Sequence, residues 1–189
     1  MIRVGILGDI GSGKSYVSTI FGYPVFNADK EVNKIYLKDK KIFRKLNKIL
    51  PNHIKFFPIN KNQIINAILA NEKNLKKIIK IVHPEVRKKL NIFLKKNRNK
   101  KIVILDIPLL LENKLNKEKD ILVFIQSDNS SLLKKLKKRK NFNFKILRKL
   151  KKIQLPLDIK KKKSHFVIKN NFTSSSVKKS VRLILKEIL

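Results

Sequence analysis

The sequence predicts an α/β protein: a doubly wound, parallel, five-stranded sheet carrying an inserted helical lobe and a lid. Three observations lead there. Short apolar runs without polar alternation recur along the chain, as strands buried on both faces require. Helical patterns separate these runs, so the strand connections are crossovers and the sheet is parallel. Gly8-Asp9-Ile10-Gly11-Ser12-Gly13-Lys14-Ser15 follows the first run and fits the pattern G-x-x-x-x-G-K-[ST], a phosphate-cradling loop between strand and helix. Four of the chain's five glycines, Gly5, Gly8, Gly11 and Gly13, fall within nine residues.

The elements follow in order. Residues 2–7 form the first strand. Residues 14–21 form the first helix, which stops at Gly22, a residue suited to a left-handed helix end. Residues 24–26 are the second strand. Helical patterns then cover 28–37, 40–50, 61–69, 74–82 and 84–96, the last opening on a proline in its first turn. The residue before a proline avoids the α region, so His83 is expected at a bend between two helices. Strands at 102–107 and 121–125 follow, then helices at 130–139 and 144–154, a short strand at 166–168 and a last helix at 174–189. Roughly 75 residues between the second and third strands exceed one crossover and read as an inserted lobe, residues 31–100. The core is then 1–30, 101–138 and 164–189. The basic helical stretch 139–163 reads as a lid able to close over bound phosphates.

Composition narrows the function. An apolar share of 42% supplies a core. No cysteine is present, which excludes a disulfide framework, thiolate metal sites and a thiol nucleophile, and agrees with a reducing cytoplasm. No apolar run reaches the ~20 residues of a membrane span, and the N-terminus lacks the shape of a signal peptide. A cytoplasmic protein without a membrane partner is expected, a monomer rather than a small homo-oligomer. The net charge of +34 invites a nucleic-acid reading. Yet the basic residues spread over nearly every helix, and arginine supplies only seven of 47. Lys, Ile and Asn share A/T-rich codons, so a biased genome accounts for the composition without a specific nucleic-acid partner. The field still steers anions toward the protein.

The loop carries the clearest chemistry. Gly8, Gly11 and Gly13 let backbone N–H groups approach phosphate oxygens, and the following helix adds its N-terminal positive end. Lys14 would reach the outer phosphates, and Ser15 would place a hydroxyl on Mg²⁺. Asp29 follows the second strand; it reads either as the acceptor of an alcohol proton or as a helix-end carboxylate favoured by the dipole. Asp106 ends an apolar strand; it reads either as a Mg²⁺ carboxylate or as the start of an Asx turn. Arg139 either clamps migrating phosphate or closes a helix as a C-terminal cation. His83 either faces a ligand or packs and caps. Three scattered histidines make no metal site.

Together these pieces resemble the dephospho-CoA kinase family almost end to end. Gly5 through Ser15 is similar to its opening, and Val25-Phe26-Asn27-Ala28-Asp29 to its Asp-Ala-Asp segment, with Asp29 at the catalytic second aspartate. His83-Pro84 resembles a His-Pro of the acceptor-binding lobe, and Pro108-Leu109-Leu110-Leu111-Glu112 a Pro-Leu-Leu-x-Glu signature. Arg139 falls at a lid arginine, Gln154 and Lys160 at a Gln and Lys spaced alike, and Val167-Ile168-Lys169-Asn170 at a Val-Ile-x-Asn. The resemblance implies a P-loop kinase-like core that moves the ATP γ-phosphate to the ribose 3′-hydroxyl of dephospho-CoA, the last step of coenzyme A synthesis. It implies ATP on Gly8, Gly11, Ser12, Gly13, Lys14, Ser15, Tyr16 and Arg139, and Mg²⁺ on Ser15 and Asp106. The acceptor would meet Asp29, His83, Pro108 and Leu109. Lys14, Asp29 and Arg139 would be catalytic.

The chain departs from that pattern in places. Asn27 replaces the first aspartate, Tyr16 a usual threonine, Lys61 an arginine, and Ser164-His165 an Ala-Asp pair. Two other readings of the loop stand beside this one. A nucleoside monophosphate kinase needs arginines for its acceptor phosphate, and the lobe offers mainly Arg44, Arg87 and Arg98. A nucleic-acid-dependent NTPase predicts salt-resistant binding to DNA or RNA.

Overall fold

A computed structural model describes residues 1–138 and 142–189. Strands β1 (Ile2–Gly8), β2 (Val25–Asn27), β3 (Ile102–Asp106), β4 (Ile121–Gln126) and β5 (Phe166–Lys169) form one sheet in the order β2-β3-β1-β4-β5. Every described pairing is parallel, from Ile2 against Ile102 to Gly8 against Ile125. The helices are α1 (Lys14–Ile20), α2 (Ala28–Lys38), α3 (Lys40–Ile49), α4 (Lys61–Ala70), α5 (Glu72–Lys96), α6 (Asn129–Lys137), α7 (Phe144–Lys152), α8 (Leu157–Lys162) and α9 (Ser174–Ile188). The fold is the α/β parallel sheet that the apolar runs predicted. Strand order reverses around β1, so the loop after it opens at the switch point where such sheets bind ligands.

The chain divides into two compact units. The first comprises 1–27, 151–189 and the described part of 97–143. Its core alternates by strand pleat. Val4, Ile6, Ile102, Ile104, Val123 and Ile125 pack with Val17 and Phe21 of α1 and Val177, Val181 and Ile184 of α9. On the other side Gly5 makes room: a Cβ there would lie 2.5 Å from Leu110 and 2.9 Å from Leu122. At the N-terminal edge Arg3 meets Asp120 at 2.9 Å and donates to the Leu115 carbonyl. Burial raises the Asp120 carboxyl above its ordinary range, against the Lys117 N–H and the Arg3 charge. Gly22 takes the left-handed conformation after α1 (φ 73°), as expected of a helix stop.

The second unit comprises 28–96 and 144–150. Its helices begin where side chains accept the free N–H groups: Asp39 from Lys41 and Ile42, Asn60 from Gln63. Helix α5 is the spine, in contact with α2, α3 and α4. Lys149 joins from α7, donating to the Ile68 carbonyl at 3.1 Å.

One expectation fails here. His83 does not lie between two helices, because α5 runs as one helix through Pro84 for 25 residues. A proline inside a helix costs about 3 kcal/mol through its missing N–H and ring clash. Leu75, Ile78, Val82, Val86 and Leu90 form one buried stripe across that point. Each contributes about 1.5–3 kcal/mol, so burial outweighs the local signal. Helix α8, within the stretch 155–163, is a second element that periodicity did not single out.

Two predictions follow from these contacts. Arg3→Met, which leaves a buried carboxylate unpaired, lowers stability by about 3–5 kcal/mol in urea unfolding. Adding Asp120→Asn recovers most of that loss, whereas additive losses would contradict the buried-pair account. Pro84→Ala raises stability by about 1–3 kcal/mol in the same assay; a loss would mean that the proline relieves a strain the helix otherwise carries.

Candidate nucleotide site

The site grows from the C-terminal edge of β1. Gly8, Gly11 and Gly13 all have positive φ (143°, 89° and 89°), the region that side-chained residues avoid. The turn between them is drawn tight by the Ser12 N–H, which donates to the Asp9 carbonyl at 3.2 Å. Lys14 opens α1, and its side chain folds back beneath the loop. Its Nζ donates to the carbonyls of Gly8 (3.2 Å) and Asp9 (2.6 Å). The ammonium is thus anchored on two backbone carbonyls, in a loop whose N–H groups suit an anion.

Two neighbouring strands pin the loop from outside. Ser127, just after β4, and Asn170, just after β5, both donate to the Ser12 carbonyl, at 3.0 and 2.8 Å. Asn170 also accepts from the Phe172 N–H and is almost fully buried. The packing leaves no room for side chains. A Cβ on Gly13 would lie 2.4 Å from Asn170 Nδ2, and one on Gly8 would lie 2.7 Å from the Ile125 carbonyl. Ser12 Oγ is buried and, among the described residues, has no hydrogen-bond partner. A buried hydroxyl without a partner is costly unless a ligand supplies one.

Beside the loop, Asn27 Nδ2 donates both to Ser15 Oγ, at 3.2 Å, and to Asp106 Oδ2. Asp106 is only 2% exposed. A hydroxyl and one carboxylate at the phosphate end of the loop suit a hard cation that takes its remaining ligands from phosphate and water. No group of three or more His, Asp or Glu occurs among the described residues, so a cage made of protein ligands alone is absent there.

The same edge holds contacts of two carboxylates, Asp9 and Glu112, that composition hid. Asp9 accepts from the Ile10 N–H and pairs with Lys151 at 2.8 Å. Glu112 Oε1 accepts from Lys160 Nζ (2.8 Å) and from the Leu155 N–H (2.9 Å). Lys160 Nζ also donates to Gln154 Oε1, and the residue is 1% exposed. Gln154, Lys160 and Glu112 therefore form one buried knot tying the segment before β5 to the turn after β3. Nothing in sequence separates Lys151 from the other lysines of that stretch, whereas Lys160 is marked by its spacing from Gln154 in the family resemblance. Ser127 carries no motif, and only its place after a strand pointed toward the site.

The remaining expected site residues are placed as follows. Tyr16 is 43% exposed and donates to Ser174 of α9 at 2.8 Å. Pro108 and Leu109 are half-buried in the turn after β3. Asp29 lies exposed in the first turn of α2, two residues along the chain from Asn27, and His83 is half-buried within α5. Both belong to the helical unit. That unit has a groove of about 570 Å³ lined by Ile42, Ile49 and Ile81 with Lys45, Lys80 and Lys88. Arg139 lies outside the described residues. No helix among the described residues is long and apolar enough to cross a membrane.

Comparison with known proteins matches this chain to the family model of dephospho-CoA kinase over residues 2–176. A dephospho-CoA kinase of Wolbachia sp. subsp. Brugia malayi (strain TRS) is 32% identical across 98% of this chain and 97% of its own. Among solved structures, TT1252 from Thermus thermophilus superposes with a TM-score of 0.76 at 23% identity, covering 100% of this chain and 98% of that one. A dephospho-CoA kinase from Campylobacter jejuni superposes with a TM-score of 0.65 at 21% identity, covering 98% and 96%.

The packing around the loop generates its own test. Gly13→Ala, forced against Asn170 in a left-handed backbone, removes the thermal stabilisation that ATP gives the native chain. Retained stabilisation would contradict the steric account of the cradle.

Proposed function

The chain belongs to the dephospho-CoA kinase family, and on that premise we propose that the loop from Gly8 to Ser15 presents ATP for transfer of its γ-phosphate to the ribose 3′-hydroxyl of dephospho-CoA. The observation that carries this for the loop is the ammonium of Lys14, buried under a glycine turn and held there by two carbonyls. A triphosphate offers that ammonium a better partner than neutral oxygens, together with the N–H groups of the turn. The buried hydroxyl of Ser12 gains its missing partner in the same event. Gly8, Gly11 and Gly13 keep the approach clear, and Tyr16 flanks the nucleotide at the start of α1.

Ser15 and Asp106 are the residues suited to Mg²⁺, through one hydroxyl and one carboxylate. When bound, Mg²⁺ neutralises charge on the β- and γ-phosphate oxygens. Asp29 orients the acceptor hydroxyl and takes its proton, favoured as a carboxylate by its place in the first turn of α2. Lys14 offsets the charge that builds on the migrating group, and Arg139 joins it from the lid, residues 139–163. His83 and the segment holding Pro108 and Leu109 bind the acceptor. Closure of the lid excludes water that would otherwise hydrolyse ATP.

A nucleoside monophosphate acceptor is the reading this one displaces. A coupled ADP-release assay over a panel of acceptors decides: turnover is expected with dephospho-CoA, and turnover with nucleoside monophosphates alone would overturn the assignment. Asp29→Asn lowers kcat by about 10²- to 10⁴-fold while ATP affinity stays nearly unchanged. An equal loss of ATP binding would place Asp29 on the nucleotide instead. Lys14→Ala loses phosphoryl transfer, and an unchanged rate would remove the ammonium from the mechanism.

A further inference from the structure

We infer that Asn27 is a positioning residue: as a neutral amide it bridges Ser15 and Asp106, holds both oxygens in place for a cation that arrives with nucleotide, and adds no charge that would capture free Mg²⁺. This rests on the kinase reading above. Asn27 and Asp106 are register partners in the parallel ladder of β2 and β3. Paired residues of a ladder project to the same face, so whatever side chain stands at 27 must face the Asp106 carboxylate. That carboxylate is buried and can only accept, so the amide must turn its NH₂ toward it. The same nitrogen reaches Ser15 Oγ at 3.2 Å. One NH₂ therefore bridges a hydroxyl and a carboxylate, the two oxygen types a divalent cation would bridge.

The amide acts in two ways. It supplies the buried carboxylate with a partner when no cation is present, so Asp106 and Ser15 stay in position. It also adds neither charge nor ligand for a free cation, because an amide nitrogen donates and does not ligate Mg²⁺. One carboxylate, already hydrogen-bonded, in a chain of net charge +34 attracts free Mg²⁺ poorly. The cation then enters with the nucleotide, whose phosphates supply the missing negative charge. A second carboxylate at position 27 would build a place that captures the cation without nucleotide.

The test compares the full-length native chain with Asn27→Asp and Asn27→Ala. Thermal unfolding is measured without nucleotide in MgCl₂ against KCl of equal ionic strength. Asn27→Asp gains about 3–6 °C at tenfold its Mg²⁺ dissociation constant, while the native chain and Asn27→Ala show no Mg²⁺-specific gain. The Mg²⁺ concentration that half-saturates phosphoryl transfer at saturating ATP is measured next. It falls about tenfold in Asn27→Asp and rises about tenfold in Asn27→Ala. General damage to the fold would move both variants the same way. Equal Mg²⁺ responses in all three proteins overturn the inference, and so does a Mg²⁺ gain by the native chain matching that of Asn27→Asp. If Asn27→Asp does not fold, an unchanged half-saturation in Asn27→Ala overturns it. Absence of dephospho-CoA turnover in all three would instead sink the kinase reading, leaving the thermal comparison to decide the role of Asn27.

Discussion

Two side-chain donors, Ser127 and Asn170, converge on the carbonyl of Ser12, and the shape of the loop depends on that convergence. A turn rich in glycine is entropically soft, and its N–H groups present a defined cradle only when something outside holds it. The holders stand at the ends of β4 and β5, strands far along the chain. The parallel sheet makes this possible: its strands share one direction, so their C-terminal ends meet at one edge. The glycines then serve a second purpose beyond flexibility. Asn170 and the Ile125 carbonyl sit so close to Gly13 and Gly8 that their missing side chains are a packing requirement.

Charge is distributed with the same economy. The chain has 13 acidic residues against 47 basic ones, so each carboxylate is informative where a lysine is not. Asp39 and Asp128 cap helices, and Asp120 holds the buried Arg3. Asp9 follows β1, Asp106 ends β3 and Glu112 stands in the turn after β3, so all three belong to the sheet edge that carries the loop. Asp9 draws in Lys151, and Glu112 draws in Lys160. The carboxylates that receive them set Lys151 and Lys160 apart from their many solvated counterparts. A buried ammonium is expensive without such a partner, which is why Lys160 meets both a carboxylate and an amide oxygen.

The helical unit shows how far burial overrides a local signal. The dipeptide His83-Pro84 reads as a break, and isolated peptide physics supports that reading. The apolar stripe of α5 passes through it because three other helices rest on that face. Propensity acts over a few residues, whereas the stripe from Leu75 to Leu90 acts over about four turns.

By itself, the sequence determined the order of strands and helices, the parallel sheet and the loop that ends in Lys14 and Ser15. Those features are written in local terms: apolar runs, glycine spacing and helix starts are each legible within about ten residues. The position of Asp106 at the end of an apolar strand was legible in the same way. Tertiary structure alone decided which side chains meet. It paired Asn27 with Asp106 through strand register, brought Ser127 and Asn170 onto one carbonyl, and chose Lys151 from a basic stretch. Such meetings join residues up to 158 positions apart, and no local pattern encodes which lysine or asparagine lies at the right depth of a folded core. Continuity of α5 through Pro84 belongs to the same class, since its cause lies in the helices that cover it.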